Sequence, residues 1–185
     1  IARQRTLNAE REREKATQTL VAEAGRRYGK LSFLDFVADT SRKSTVRKAV
    51  MDWCANWEQR KRLAEGLVLY GPVGTGKDHL AFCAVRSVVE QGGSVKWVNG
   101  RELMGQARDR IDSGDSERSF VDLYTRSDVL VISDPIPTHG ALTQYQADTL
   151  YRIVDSRYNA GRITCVTVNV ENDVEADSAF GAPTW

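Results

Sequence analysis

The sequence predicts an α/β fold, a parallel sheet sandwiched between helices. Three observations point there. Short apolar runs alternate with segments of helical period along most of the chain. One of these runs, Val129-Leu130-Val131-Ile132, is apolar at every position, as in a strand buried on both faces of a parallel sheet. A glycine-rich stretch, Gly71-Pro72-Val73-Gly74-Thr75-Gly76-Lys77, stands between a strand pattern and a helix pattern.

Taken in order, residues 1–30 are polar and rich in helix formers, with Arg3, Arg5, Arg11, Arg13 and Lys15 set against Glu10, Glu12 and Glu14. They read as a solvated helix or connector, with the folded core expected over 31–185. Leu31 to Val37 is an apolar anchor. The spacing of Val46, Val50, Trp53, Cys54 and Trp57 predicts one helix from Thr45 to Leu63. Gly66 to Tyr70 is a buried strand. The helix that follows the glycine-rich stretch carries Leu80, Ala81, Ala84, Val85, Val88 and Val89 on one face, and Gly92-Gly93 stops it. Ser94–Val98 is a strand, Arg101–Ile111 a helix, Phe120–Tyr124 a short helix, Val129–Ile132 a strand, and 135–140 a loop. Gln144–Asn159 is a helix expected to turn Ala147, Leu150, Tyr151, Val154 and Tyr158 inward, and Ile163–Val168 is the fourth strand.

Composition excludes less than it supports. At 41% hydrophobic residues the 185-residue chain can bury a core. Lys and Arg number 26 against 25 Asp and Glu, so the total charge of +1 favours no polyanionic partner. No run of residues is apolar enough to span a bilayer, and no secretory signal pattern is present. Cys54, Cys83 and Cys165 are odd in number and widely spaced, so buried thiols of a cytoplasmic protein are expected. The first residue is Ile, and the chain is expected to be a fragment of a longer one.

The stretch Gly71–Lys77 fits the phosphate-binding pattern G-x-x-x-x-G-K, and its strand–loop–helix context is the one the motif requires. Glycines let the backbone close around phosphate oxygens. Amides of residues 74–78 and the positive end of the next helix then meet the anion, and Lys77 adds a point charge. The expected ligand-binding set is Gly71, Pro72, Val73, Gly74, Thr75, Gly76, Lys77, Asp78 and His79. Asp78 stands where Ser or Thr would place a hydroxyl on Mg²⁺, and Ser133 stands where an Asp would end the apolar strand. One hydroxyl and one carboxylate are thus exchanged. The exchange predicts that Asp78 gives the anionic oxygen, with Ser133 bonded to it or to a metal-bound water, and Asp134 beside them. The competing reading is a site that binds nucleotide but hydrolyses it poorly.

Two blocks carry a family resemblance. Leu67 to Ala81, including Gly-Thr-Gly-Lys-Asp-His-Leu, resembles the P-loop of DnaC/IstB-type AAA+ ATPases. Leu150 to Thr164, including Asp155-Ser156-Arg157-Tyr158, is similar to that family's helix and strand leading to sensor 1. Phe33 and Phe36 resemble the aromatic pair preceding the AAA+ module. The resemblance implies a sheet of order 5-1-4-3-2 whose fifth strand lies beyond this chain. It also implies ATP or ADP with Mg²⁺ as ligand, Asp134 orienting the attacking water, and Asn169 as sensor 1. Lys77, Asp134 and Asn169 are then the catalytic set, and Asp78, Ser133 and Asp134 the metal set. After Asn169 there is no Arg, so the helical lid and the arginine finger are expected elsewhere. Implied partners are copies of the chain, single-stranded DNA, and either a replicative helicase, which such a protein loads, or a transposase.

Remaining residues admit plainer readings. His79 is expected to pack or hydrogen-bond rather than to react, and His139 to be a solvated loop residue. Arg157 serves either a subunit contact or the bracing of its helix end. Trp53, Trp57 and Trp97 are expected in the core or at an interface rather than as base-stacking platforms. A metabolic kinase is disfavoured, because neither a phosphoacceptor pocket nor an Arg-rich lid is visible. An ATP-driven loader or remodeller competes with a nucleotide switch of little turnover.

Overall fold

The computed structural model describes residues 2–114, 116–136, 142–171 and 174–175, so Pro137 and His139 lie outside the described residues. Four parallel strands, β1 (Val68–Tyr70), β2 (Val95–Asn99), β3 (Val129–Ser133) and β4 (Ile163–Val168), lie in the order β1-β4-β3-β2. This is the expected order, and the expected fifth strand is not among the described residues. The helices are α1 (Ala2–Ala24), α2 (Ser41–Ala55), α3 (Trp57–Leu63), α4 (Lys77–Glu90), α5 (Gly100–Asp112), α6 (Glu117–Thr125) and α7 (Gln144–Asn159), with a 3₁₀ turn at Arg26–Tyr28.

Every residue of β3 is buried, so its alternating side chains build two cores. On one face Val129 and Val131 join Trp97, Ile163 and Cys165 beneath α1, α2 and α4. On the other, Leu130 and Ile132 join Val98 beneath α5, α6 and α7. Cys54, Cys83 and Cys165 are buried free thiols, and Trp53, Trp57 and Trp97 are core residues, as expected. Among the described residues no helix is long and apolar enough to cross a membrane.

The helix expected of residues 1–30 forms. Its first half is solvated, but its last turns join the core: Leu20 is buried, and Glu23 takes the open edge of β2. The Trp97 backbone N–H donates to Glu23 Oε2 at 2.8 Å, and Lys96 pairs with Oε1 at 3.2 Å. An edge strand is thus covered by a side chain, where an exposed edge would invite pairing with another chain.

Two expectations need correction. The single helix over 45–63 is two helices, α2 and α3, broken at Asn56 (φ −105°, ψ 28°). Asn56 donates its side-chain amide to the Asp52 carbonyl at 2.8 Å, and the bend brings Trp57 into the core beside Trp53. The inward face of α7 is Thr149, Leu150, Ile153 and Arg157, whereas Tyr151, Val154 and Tyr158 are exposed. The apolar stripe misled the reading because the packed stripe includes an arginine.

That arginine decides between the two roles open to it. Arg157 is fully buried and braces its surroundings. Its guanidinium donates to the carbonyls of Tyr124 (2.5 Å), Ser127 (3.2 Å), Asp128 (3.2 Å) and Ile163 (2.5 Å) and to Thr164 Oγ1 (3.1 Å). Burial lowers its pKa to about 10, still well above neutrality, so it remains a cation held by five acceptors. Next to it Asp128 ties three elements together. Oδ2 accepts from the N–H and hydroxyl of Ser94 (both 2.9 Å), and Oδ1 pairs with Arg162 (2.6 Å) and Lys61 (3.2 Å).

Two predictions follow from this edge of the sheet. Arg157→Leu strands buried carbonyls and should cost ~3 kcal/mol or more in urea unfolding. Burial alone would raise the Asp128 pKa, but the bonds from Ser94 and the pairing with Lys61 outweigh it, and the folded-state value is depressed. The carboxylate therefore stabilises the fold above its unfolded value of 3.8, and that contribution is lost as pH falls through the depressed value. The stability difference between the unaltered chain and Asp128→Asn should shrink on acidification below pH ~4; a difference flat with pH would refute the assignment.

Candidate nucleotide site

β1 ends at Tyr70, and the Gly71 N–H then bonds the Val168 carbonyl of β4 at 3.3 Å, so the glycine-rich loop starts from a fixed point. Within the loop the Thr75 hydroxyl donates to the Pro72 carbonyl at 2.8 Å. Gly76 adopts φ +87° as α4 begins, and a Cβ there would stand 2.7 Å from the ring of buried Phe36. Lys77 donates to the carbonyls of Gly71 and Pro72, both at 2.8 Å. The ammonium thus closes the loop across the start of a fourteen-residue helix whose free N–H groups and dipole favour an anion.

A cleft of about 350 Å³ opens at this point, lined by Val73, Gly74, Gly76, Lys77, Asp78 and His79 of the loop and helix, by Asp134 and Asn169 of the strand ends, and by Arg27 and Tyr28 of the 3₁₀ turn. Gly71, Pro72 and Thr75 border a second hollow of about 530 Å³ with Lys77, Phe36 and Val46. His79 hydrogen-bonds the Ser32 carbonyl at 2.8 Å and meets Phe36 edge-on, which is the packing role expected of it.

Of the two roles expected of Ser133, a bond to Asp78 or to a metal-bound water, the first is not formed. Ser133 is buried, and its hydroxyl accepts from Asn99 Nδ2 at 3.5 Å on the neighbouring strand. Asp78 instead accepts from Thr167 Oγ1 at 2.6 Å through Oδ1 and from the Tyr28 hydroxyl at 3.4 Å through Oδ2. Thr167 is the register partner of Ser133 on β4, so the hydroxyl beside Asp78 comes from one strand further along. Sequence reasoning missed Thr167, Arg27 and Tyr28. Thr167 carries a signal, since it lies two residues before Asn169. Arg27 and Tyr28 carry none, being brought in by tertiary packing alone.

Asp134 follows β3 with φ +47°, a conformation uncommon outside glycine. Its N–H bonds the Thr167 carbonyl at 3.0 Å, while Oδ1 is buried with no hydrogen-bond partner among the described residues. Burial pushes its pKa up, the Asp78 charge adds to this, and Lys77 and a hydrogen bond from Asn169 pull it partly back. Burial likewise lowers the pKa of Lys77, against the pull of Asp134 and Asp78.

These residues fit a nucleotide phosphate chain with Mg²⁺. The loop supplies amides and a cation, and the orphaned Asp134 oxygen lacks a positive partner. Among the described residues no cluster of three His, Cys, Asp or Glu side chains could hold a metal alone. Two carboxylates suffice for Mg²⁺, which keeps waters and phosphate oxygens as its other ligands.

Comparison with known proteins agrees with this geometry. The profile of the IstB-like ATP binding proteins matches residues 6–183. The chain belongs to that family. It is 30% identical over 109 residues to a protein from Mycobacterium tuberculosis (strain ATCC 25618 / H37Rv) described as ATP-binding and in an insertion sequence. That stretch is 57% of this chain, and the chain spans only 41% of that relative. The crystal structure of the DnaC helicase loader superposes with a TM-score of 0.74 at 21% identity, covering 85% of this chain and 90% of that one. DnaI gives 0.62 at 22% identity, over 80% of this chain and 73% of its own. AMPPCP-bound DnaA from Aquifex aeolicus gives 0.64 at 17% identity, over 83% and 48%. At these identities the likeness to the solved structures is one of fold.

The close approach at Gly76 is testable. Gly76→Ala must displace Phe36 and hold an L-residue at positive φ, so it should destabilise the chain by ~1–2 kcal/mol and weaken nucleotide binding. Unaltered thermal stability would show that the loop is not held as described.

Proposed function

We propose that this chain is the core of an ATP-hydrolysing helper that acts with a transposase on DNA. The reading of hydrolysis rests on one observation: the partnerless Asp134 oxygen shares a cleft with Lys77 and with the start of α4. Lys77 and the loop amides hold the phosphates. Asp78, fixed by Thr167, is the carboxylate nearest the loop and one metal ligand, and Asp134 is the second. Asp134 also orients the attacking water. Its raised pKa suits a group that takes a proton, and Asn169 steadies it from the end of β4. Ser133, whose hydroxyl accepts from Asn99, takes no direct part in this reading. Bound Mg²⁺ would supply charge neutralisation on the phosphates.

The transposase partner is favoured by the family and by the relative's place in an insertion sequence. The second reading, loading of a replicative helicase, is favoured by the likeness to DnaC over 90% of that chain. Both involve self-association and single-stranded DNA. Arg101 and Arg108 are exposed on α5 and one heptad apart, so they share a face suited to weak, salt-sensitive phosphate contacts.

Lys77→Ala should abolish ATP and ADP binding in calorimetry. Asp134→Asn should retain binding and lose turnover. Full turnover in Asp134→Asn would remove hydrolysis from this site. Arg101→Glu with Arg108→Glu should weaken single-strand binding by full-length protein; unchanged affinity would exclude α5. Co-purification of full-length protein with its element's transposase or with the host helicase decides the partner.

A further inference from the structure

We propose that Arg27 is a nucleotide-binding residue that reads the terminal phosphate, and that Tyr28 is the positioning residue for Asp78. The inference rests on the nucleotide reading of the cleft and adds two residues that neither motif contains.

Tyr28 is buried although it follows a solvated helix. Its ring stacks on Phe82 of α4 at 5.5 Å and lies 6.2 Å from Trp97 of β2. The turn that carries it is closed by bonds from the Tyr28 N–H to the Gly25 carbonyl (3.0 Å) and from the Leu31 N–H to the Tyr28 carbonyl (2.9 Å). The hydroxyl is therefore delivered to one place, where it meets Asp78 Oδ2. The phenol O–H donates to that carboxylate oxygen at 3.4 Å. With Thr167 on Oδ1, both oxygens of Asp78 are held in place. A flexible carboxylate that replaces a short hydroxyl needs such anchoring if it is to face a metal ion in one orientation.

Arg27 completes the chain. Its Nη2 donates to the Tyr28 hydroxyl at 2.6 Å, and the guanidinium lies over the Tyr28 ring, 4.7 Å from its centre. None of the ion pairs among the described residues includes it, and it borders the same cleft as Lys77, Asp134 and Asn169. A guanidinium has five N–H donors in a planar fork suited to phosphate, and the bond to Tyr28 uses one of them. Beside two carboxylates and one ammonium, the site offers a second cation to the extra charge of a triphosphate.

The test is calorimetry on full-length protein with Mg–AMPPCP and Mg–ADP. Arg27→Gln should weaken AMPPCP by about tenfold and ADP by less than about threefold, and Arg27→Lys should restore most of the loss. Tyr28→Phe keeps the stacked ring and should leave the thermal midpoint unchanged while raising the Mg²⁺ concentration needed for half-maximal AMPPCP binding. Equal losses for the two nucleotides in Arg27→Gln, or none, overturn the Arg27 role. An unchanged Mg²⁺ requirement in Tyr28→Phe overturns the Tyr28 role. If Lys77→Ala binds both ligands as the unaltered protein does, or the unaltered protein binds neither, the nucleotide reading itself fails and the inference falls with it.

Discussion

The four strands among the described residues run the same way, and this constraint places the rest of them. Their carboxyl ends must meet along one edge, and in an open α/β sheet that edge is where the chain leaves strands for loops. Here it gathers Tyr70 and Gly71, Asn99 and Gly100, Ser133 and Asp134, and Val168 and Asn169. The edge is locked beyond the strands themselves, because Gly71 bonds the carbonyl of Val168 and Asp134 bonds that of Thr167. Gly100 closes it on the far side, where a Cβ would stand 2.2 Å from Pro135 Cα. The glycine-rich loop is thus the first turn of a tied scaffold.

On that scaffold the electrostatics turn on Asp78. A carboxylate in the first turn of α4 is favoured by the helix dipole, which lowers the cost of having replaced a neutral hydroxyl. It also crowds a second carboxylate. The Asp78 charge helps to raise the pKa of Asp134, and Lys77 only partly offsets it. Asp78 and Asp134 share the cleft with two cations, Lys77 and Arg27. A hydroxyl from β4 and a phenol from the N-terminal turn converge on Asp78 and fix both of its oxygens.

The strands and the position of the loop could be read from the sequence, because parallel strands and P-loops leave local signatures, whereas the order of the strands was implied only by the family resemblance. The apolar run Val129–Ile132 is buried throughout, as its composition required. What escaped were features that only tertiary contact defines. Asp78 and Ser133 both departed from the motif, and pairing them was the simplest inference. Yet the register sets Ser133 beside Asn99 and Thr167, and it is Thr167 that reaches Asp78. Tyr28 lies fifty residues from Asp78 in a charged segment that reads as solvated. The face of α7 was misjudged for a related reason: a buried arginine breaks the apolar periodicity on which such readings depend.

That arginine also shows how the molecule divides its labour. At the amino ends of β3 and β4, Arg157 satisfies four carbonyls and a hydroxyl, and Asp128 joins Ser94, Lys61 and Arg162. The cost of burying these two charges is met by their hydrogen bonds, although the neighbouring buried Ser127 hydroxyl has no partner among the described residues. At the opposite end the unpaired atom belongs to a carboxylate. Asp134 sits at positive φ with an unpaired buried oxygen, beside a second carboxylate. Such features are destabilising one by one, each by ~1–3 kcal/mol, and persist only where surrounding structure enforces them. The same two strands carry both ends, so the braced end holds the strained one in register. A cleft in which a carboxylate oxygen stays without a partner is therefore held by how firmly the amino ends of the same strands are tied.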